Sequence, residues 1–308
     1  MKRILTTLLL LTCLLPLWAQ KPMAEVDLTK MTFVRQSFVR NFYTSQKVMS
    51  QINMEGTDLF LPNSANLIVE GTPSLKQNGR TLGISTKQGS ASTIRVGAFH
   101  PYLCYEAEFS ALSENDEAGI TFYPNEGAGK RIRIVYRNGE IVSLANDEIL
   151  ARKSIGECDK VSLRVQYTGV RFHVFNLREN GDADLLYSVE NDMRTVESCT
   201  THSFGIYANG NITLHKAQSA LTCGTGQADP QIIQTTDGQP LIRDGRLYIC
   251  FTTRGFERIF DSYQGIYSLD LASYELRLEG AMFFGKGDGL MYGFHATKVV
   301  YNPSTEEF

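Results

Sequence analysis

From about residue 65 onward the chain alternates apolar and polar positions in short runs, each bounded by Gly, Asn or Asp. Period-two alternation is the mark of a strand with one buried face. Residues 105–109 show it most cleanly, with Tyr105, Ala107 and Phe109 on one face and Glu106 and Glu108 on the other. Further runs at 82–85, 119–123, 131–136, 140–144, 161–167, 170–175, 203–208 and 212–215 are rich in Val, Ile, Tyr, Phe and Thr. Asn138-Gly139 separates two of them and predicts a two-residue hairpin, because both central residues of that turn need positive φ. Gly169 marks a second hairpin between 161–167 and 170–175. Strands at this spacing with polar outer faces predict an all-β fold, an antiparallel sandwich.

Upstream the pattern is mixed. Residues 34–40 carry a weak helical period, and 57–60 read as extended. At the start, Lys2 and Arg3 precede an apolar run over 4–17, and Ala19 offers a small residue at a cut. These are the n-, h- and c-regions of a secretory signal spanning 1–19. The run is too short to span a bilayer, and no later stretch is long enough, so an exported protein without a membrane span is expected. It would be periplasmic or extracellular. Cleavage near Ala19 removes Trp18, the only Trp, so any ring that stacks on a sugar must come from Tyr or Phe.

Composition narrows the classes. Apolar residues make up 43% and charged residues 20%, which excludes disorder, collagen and coiled coil as the main state. A net charge of −3 leaves no basic excess to neutralise a phosphate backbone, which excludes nucleic acid as a partner. Cys104, Cys158, Cys199, Cys223 and Cys250 remain after cleavage, an odd number without CxxC spacing. Zinc ribbons and thioredoxin chemistry are therefore not expected. Cys199 and Cys223 bracket a strand pair that a disulfide would suit, whereas apolar filling is the other reading of these cysteines. The histidines show no ligand spacing, and neither a metal nor a cofactor is expected. Gly127-Ala128-Gly129-Lys130 is no phosphate loop, because Pro124 holds the first Gly position and Arg131 follows the Lys. Asp182 and Asp184 read either as a calcium pair at a sandwich rim or as a solvated acidic turn.

The composition shifts at 221–227, a small and polar linker. Beyond it, Asp244-Gly245 lies between two short strands, and 247–253, 265–270 and 274–278 are strand-like. This is the rhythm of a four-stranded propeller blade of about 40–50 residues. A second unit is expected to begin with a strand-like run at 295–301 and a turn at 302–305. Residues 228–308 are fewer than two such repeats, and stable propellers need about three or more. An incomplete propeller of about one and a half blades is expected, the truncated form of a longer parent.

Two resemblances sharpen these expectations. The strand order YEAEFS, AGITFYP, RIRIVYRNGEIVSL, KVSLRVQYTGVRFHVF and GIYANGNITLHKA resembles a concanavalin/laminin-G-like jelly roll. The expected organisation is a signal peptide at 1–19, an N-terminal extension at 20–60, the sandwich at 61–222 and the start of a propeller at 223–308. Ala228-Asp229-Pro230, opening the blade-like unit, resembles the five-bladed propeller glycosidases of glycoside hydrolase family 43. That resemblance implies that Asp229 is the general base and that the acid and a tuning carboxylate lie on later blades. Inverting hydrolysis needs two carboxyl groups roughly 6.5–9.5 Å apart. His295 starts the second unit at a position where such families place polar residues facing the funnel. Phe256, Tyr263, Phe284 and Tyr292 are candidates for stacking on sugar rings, and Asp288 is a further candidate for substrate contact.

The expected function is thus an exported glycoside hydrolase acting on oligo- or polysaccharide of the arabinoside, xyloside or galactoside class, inactive as this chain. The alternative is a non-catalytic secreted carbohydrate-binding or surface structural sandwich.

Overall fold

In the computed structural model of the chain, residues 48–51, 68–87, 89–110, 112–222, 224, 226–255 and 262–308 are described. The chain divides into Met1–Asn41 and Phe42–Phe308, and the described residues all belong to the second unit. The expected signal at 1–19, the readings at 34–40 and 57–60, Phe256 and Cys223 lie outside the described residues.

The fold is all-β. The sandwich strands begin with β1 (Val48–Gln51), β2 (Val69–Glu70), β3 (Ser74–Asn78), β4 (Thr81–Ser85) and β5 (Ser92–Ala98). Next come β6 (Leu103–Ser110), β7 (Glu117–Pro124), β8 (Ile132–Arg137), β9 (Glu140–Ala145) and β10 (Glu148–Ser154). The series closes with β11 (Lys160–Tyr167), β12 (Arg171–Leu177), β13 (Ala183–Glu190), β14 (His202–Asn209) and β15 (Asn211–Leu221). One sheet runs β13-β12-β11-β6-β15-β4-β3, with β1 also on β15. The other runs β10-β9-β8-β7-β14-β5-β2. All of these ladders are antiparallel.

Alternation explains the layers. On β6, Leu103, Tyr105, Ala107 and Phe109 enter the core, and on β7 Ala118, Ile120 and Phe122 meet them. The centre is aromatic: Tyr105 lies 4.7 Å from Phe122 and 4.8 Å from Phe204, while Phe99 lies 5.0 Å from Tyr167. Each such ring, fully buried, contributes about 1.5–3 kcal/mol. Buried hydroxyls find partners: Tyr105 Oη donates to His100 O at 2.8 Å, and Tyr167 Oη accepts from Asn191 Nδ2 at 2.8 Å. The hairpin between β8 and β9 turns at Asn138 (φ 47°) and Gly139 (φ 74°), as their pairing in the sequence requires.

A short helix, α1 (Ser198–Thr201), precedes β14. After β15 comes a third sheet, built from β16 (Gly226–Ile232), β18 (Ile242–Arg243), β19 (Arg246–Arg254), β20 (Ser262–Asp270) and β21 (Leu276–Met282). Its order is β16-β19-β20-β21, with β18 on β19, so the four long strands form an up-and-down antiparallel meander. Asp244 (φ 49°) and Gly245 (φ 74°) turn the hairpin into β19. The remaining pair, β17 (Gln234–Thr235) with β22 (Val300–Tyr301), is parallel. The strand-like run at 295–301 is a strand only at Val300 and Tyr301. Ala296 sits at φ 49°, which breaks an extended run, and the segment before it lies across the meander instead.

An aromatic seam joins the meander to the sandwich. Tyr102 lies 5.8 Å from Tyr263 and 4.6 Å from Phe283. Loop residues 289–291 are pinned by Val196 N–H to Gly289 O at 2.9 Å and Met291 N–H to Arg194 O at 2.8 Å. Tyr263, a stacking candidate in the sequence, is 1% exposed and donates to Thr222 O, so it packs within the seam.

Candidate functional site

Of the residues singled out in the sequence, Phe284, Asp288 and Tyr292 share the loop after β21, while Asp229 contacts Arg254 and His295 contacts Ser262. Gly293 brings the following segment into backbone contact with β20: a Cβ there would stand 2.0 Å from Ser262 O and 2.3 Å from Tyr263 Cα. Only glycine permits that approach. The segment is then tied to the strand pair beneath it. Gln264 Nε2 donates to Phe294 O and, at 3.0 Å, to Thr252 Oγ1, while Ala296 N–H donates to the same Thr252 Oγ1 at 3.0 Å.

Before Gly293 the chain forms a tight loop. Phe284 and Tyr292 exchange two backbone hydrogen bonds of 2.8 Å, and the loop 285–291 closes between them. Gly285, Gly287 and Gly289 would meet nothing within 4 Å if given a Cβ, so this tip is open. Tyr292 and Phe294 are two apart on an extended segment and share a face. Their rings are parallel within 9° at 6.3 Å, and Phe284 lies 5.0 Å from Phe294. Phe294 is 40% exposed. Lys286 Nζ sits 4.2 Å from the centre of the Tyr292 ring, and Arg194 Cζ lies 5.6 Å from it. Arg194 is itself held by Asp192 at 2.7 Å.

Asp288 closes the cluster. Its carboxylate accepts from Tyr292 Oη at 2.5 Å and from Leu290 N–H at 3.1 Å. These hydrogen bonds hold the Asp288 carboxyl below its ordinary value, the tyrosine contributing most. The same bond raises the Tyr292 hydroxyl. Asp288 is therefore an ionised acceptor at neutral pH, at the hydroxyl edge of the Tyr292 ring and within the field of the Lys286 ammonium.

Asp229 lies on β16 and His295 on the non-strand segment after Gly293. Asp229 occupies a bulge in β16 at φ 52°, with its carboxylate 3.8 Å from Arg254 Nη2. Arg254 pairs across the ladder with Ser262, and Ser262 Oγ lies 3.5 Å from His295 Nε2. One register step thus places Asp229 and His295 on either side of the Arg254–Ser262 pair. Arg254, Lys286 and Phe294 escaped the sequence reading. The usable signal was the alternation of Gly285, Gly287 and Gly289 between aromatic residues, which marks a presented loop.

Other sequence candidates have local roles. Asp184 takes both arms of Arg178 at 2.6 Å, and Asp182 pairs with Asn180 at 2.8 Å. Lys130 reaches Asn191 at 2.5 Å, while the glycines before it line a cavity of about 350 Å³ with Arg131 and Arg133. Cys158, Cys199 and Cys250 are free thiols. Among the described residues no group of His, Cys, Asp and Glu is arranged to hold a metal, and no helix is long and apolar enough to cross a membrane.

No family model matches the chain, and no curated protein matches it. Solved structures similar to it include the carbohydrate-binding module CBM66 from Bacillus subtilis, at 12% identity over 49% of this chain and 94% of that one, with a TM-score of 0.39. A seed lectin of Lotus tetragonolobus matches at 12% identity over 56% of this chain and 99% of its own, with a TM-score of 0.41. The exoplasmic/lumenal domain of VIP36, solved with Ca2+ and Man3GlcNAc, matches at 13% identity over 50% and 84%, with a TM-score of 0.38. At these identities the likeness concerns the fold alone.

Proposed function

We propose that the chain is an exported, non-catalytic glycan-binding protein whose sugar docks on the Phe284–Tyr292–Phe294 cluster. The observation that carries this reading is the parallel pair of Tyr292 and Phe294 beside the ionised Asp288. An aromatic face covers the apolar C–H face of a sugar ring, and a carboxylate at its edge accepts hydroxyl protons. The mature chain has no Trp, so Tyr and Phe are the rings available for this task. Lys286 holds one ring face in the free protein, an interaction worth about 0.5–1 kcal/mol at an exposed site. A sugar C–H face takes its place on the ring, and the ammonium is then free to donate to a sugar hydroxyl or carboxylate. Asp229 and His295 flank the platform as secondary contacts, and Phe256 is a further one by its place in the sequence.

The test is binding of the full chain to an immobilised polysaccharide and oligosaccharide panel. The wild type is expected to retain at least one glycan, and Tyr292→Ala to weaken it about tenfold or more with an unchanged circular dichroism spectrum. A wild type that retains nothing, or a Tyr292→Ala variant of full affinity, overturns the reading.

One observation favours a second reading, hydrolysis of the family-43 kind. Asp229 lies on the edge strand of a four-stranded meander, which has the form of a propeller blade. Against it, the group facing Asp229 is the Arg254 guanidinium, a cation that lowers the basicity a general base needs. On aryl glycosides the chain is expected to release no aglycone. Release that disappears in Asp229→Asn, with glycan binding retained, establishes the catalytic reading instead.

A further inference from the structure

A cavity of about 320 Å³ lies where the sandwich meets the meander. Its walls are Phe99, Leu103 and Leu221 from the sandwich and Ala281 and Phe283 from the meander. Pockets for small organic molecules span roughly 300–1,000 Å³ and favour such junctions. No Asp, Glu, Lys or Arg lines it, so a charged guest would lose its hydration without gaining a partner. Its polar side chains are His100, Cys199 and Ser219.

His100 gives the cavity a donor whose direction the ring fixes. The ring accepts Tyr102 N–H on Nδ1 at 3.2 Å, which puts the imidazole proton on Nε2. No hydrogen bond among the described residues uses Nε2. Burial pushes the His100 pKa down to about 4, so the ring is neutral at physiological pH. Phe283 flanks it at 5.3 Å and Tyr102 at 6.1 Å, making an aromatic wall beside the donor.

We propose that this cavity is a binding site for a compact, uncharged aromatic molecule with one carbonyl-type acceptor, which takes its hydrogen bond from His100 Nε2–H. The cavity shares no lining residue with the glycan platform, and the proposal does not rest on that platform.

Acetophenone is a suitable probe, with ethylbenzene as the isostere lacking an acceptor and benzoate as the charged one. Added to the full chain, acetophenone is expected to raise Tm and to slow alkylation of Cys199, followed on its own peptide by mass spectrometry. Benzoate is expected to do neither. His100→Phe keeps an aromatic ring but removes the donor, and is expected to lower acetophenone affinity about tenfold, to the level of ethylbenzene, whose own affinity stays the same. Ala281→Leu, which fills the cavity, supplies a second variant should His100→Phe fold poorly, and is expected to abolish both effects of the probe. No change of Tm and no protection of Cys199 by acetophenone overturns the proposal. So does equal binding of benzoate, unaltered acetophenone affinity in a folded His100→Phe, or unaltered binding by Ala281→Leu.

Discussion

Gly119→Ala is expected to cost more than about 4 kcal/mol, a large share of the roughly 5–15 kcal/mol that holds a typical domain folded. Gly119 sits mid-strand on β7, opposite Val135 of β8 and Tyr207 of β14. A Cβ there would stand 2.0 Å from Ile134 O and 2.7 Å from Val135 Cα. Both obstacles are backbone, so no side-chain rotation relieves them, and β7 would have to part from β8 at the middle of its sheet. Urea unfolding followed by circular dichroism measures the loss. A midpoint within error of the wild type would mean that the two strands do not approach this closely in solution.

Glu106→Ala is expected to cost about 2–3 kcal/mol at pH 7, below the roughly 3–5 kcal/mol of a fully enclosed pair because both cations are part-exposed. Glu106 lies on the outer face of β6, with its side chain 7% exposed. It takes Arg164 at 2.7 Å, Lys216 at 2.5 Å and Gln218 Nε2 at 3.0 Å. Burial alone would raise its carboxyl, but Arg164 and Lys216 outweigh that and hold it below the ordinary value of 4.5. A carboxylate lowered in the native state contributes stability above its unfolded pKa and loses it as pH falls through the native one. The wild type should therefore lose stability on acidification below about pH 4.5, and Glu106→Ala should flatten part of that slope. Equal acid dependence in both proteins would remove Glu106 from the account.

The sandwich was legible because its information is local. Tyr105, Glu106 and Ala107 alternate in sequence as they do in the sheet, and Asn138-Gly139 carries its own turn geometry. The Glu106 cluster was not legible, since its partners Arg164 and Lys216 stand 58 and 110 residues away and their registers follow from strand order. The run at 295–301 misled because its alternation suits a strand, whereas Gly293 and the left-handed Ala296 redirect it across β20. Tyr292 and Asp288 could be singled out as polar and aromatic residues in a glycine-rich loop. Their direct bond depends on the turn that folds Asp288 back onto the ring. The cavity beside His100 had no sequence signature at all, because segments near residues 100, 220 and 282 enclose it only after both sheets have docked.

The position of β14 and β15 has a kinetic meaning. β14 is wedged between β7 and β5 in one sheet, and β15 between β6 and β4 in the other. A ribosome or a pulling apparatus that has released residues 68–200 offers two half-built layers, each split by a gap one strand wide. Neither layer can close around its aromatic centre until the last hairpin arrives, and the pairings it then makes span about a hundred residues, the long-range kind that slows folding. The order of strands along the chain thereby acts as a timer, holding the polypeptide open until residue 221 is free.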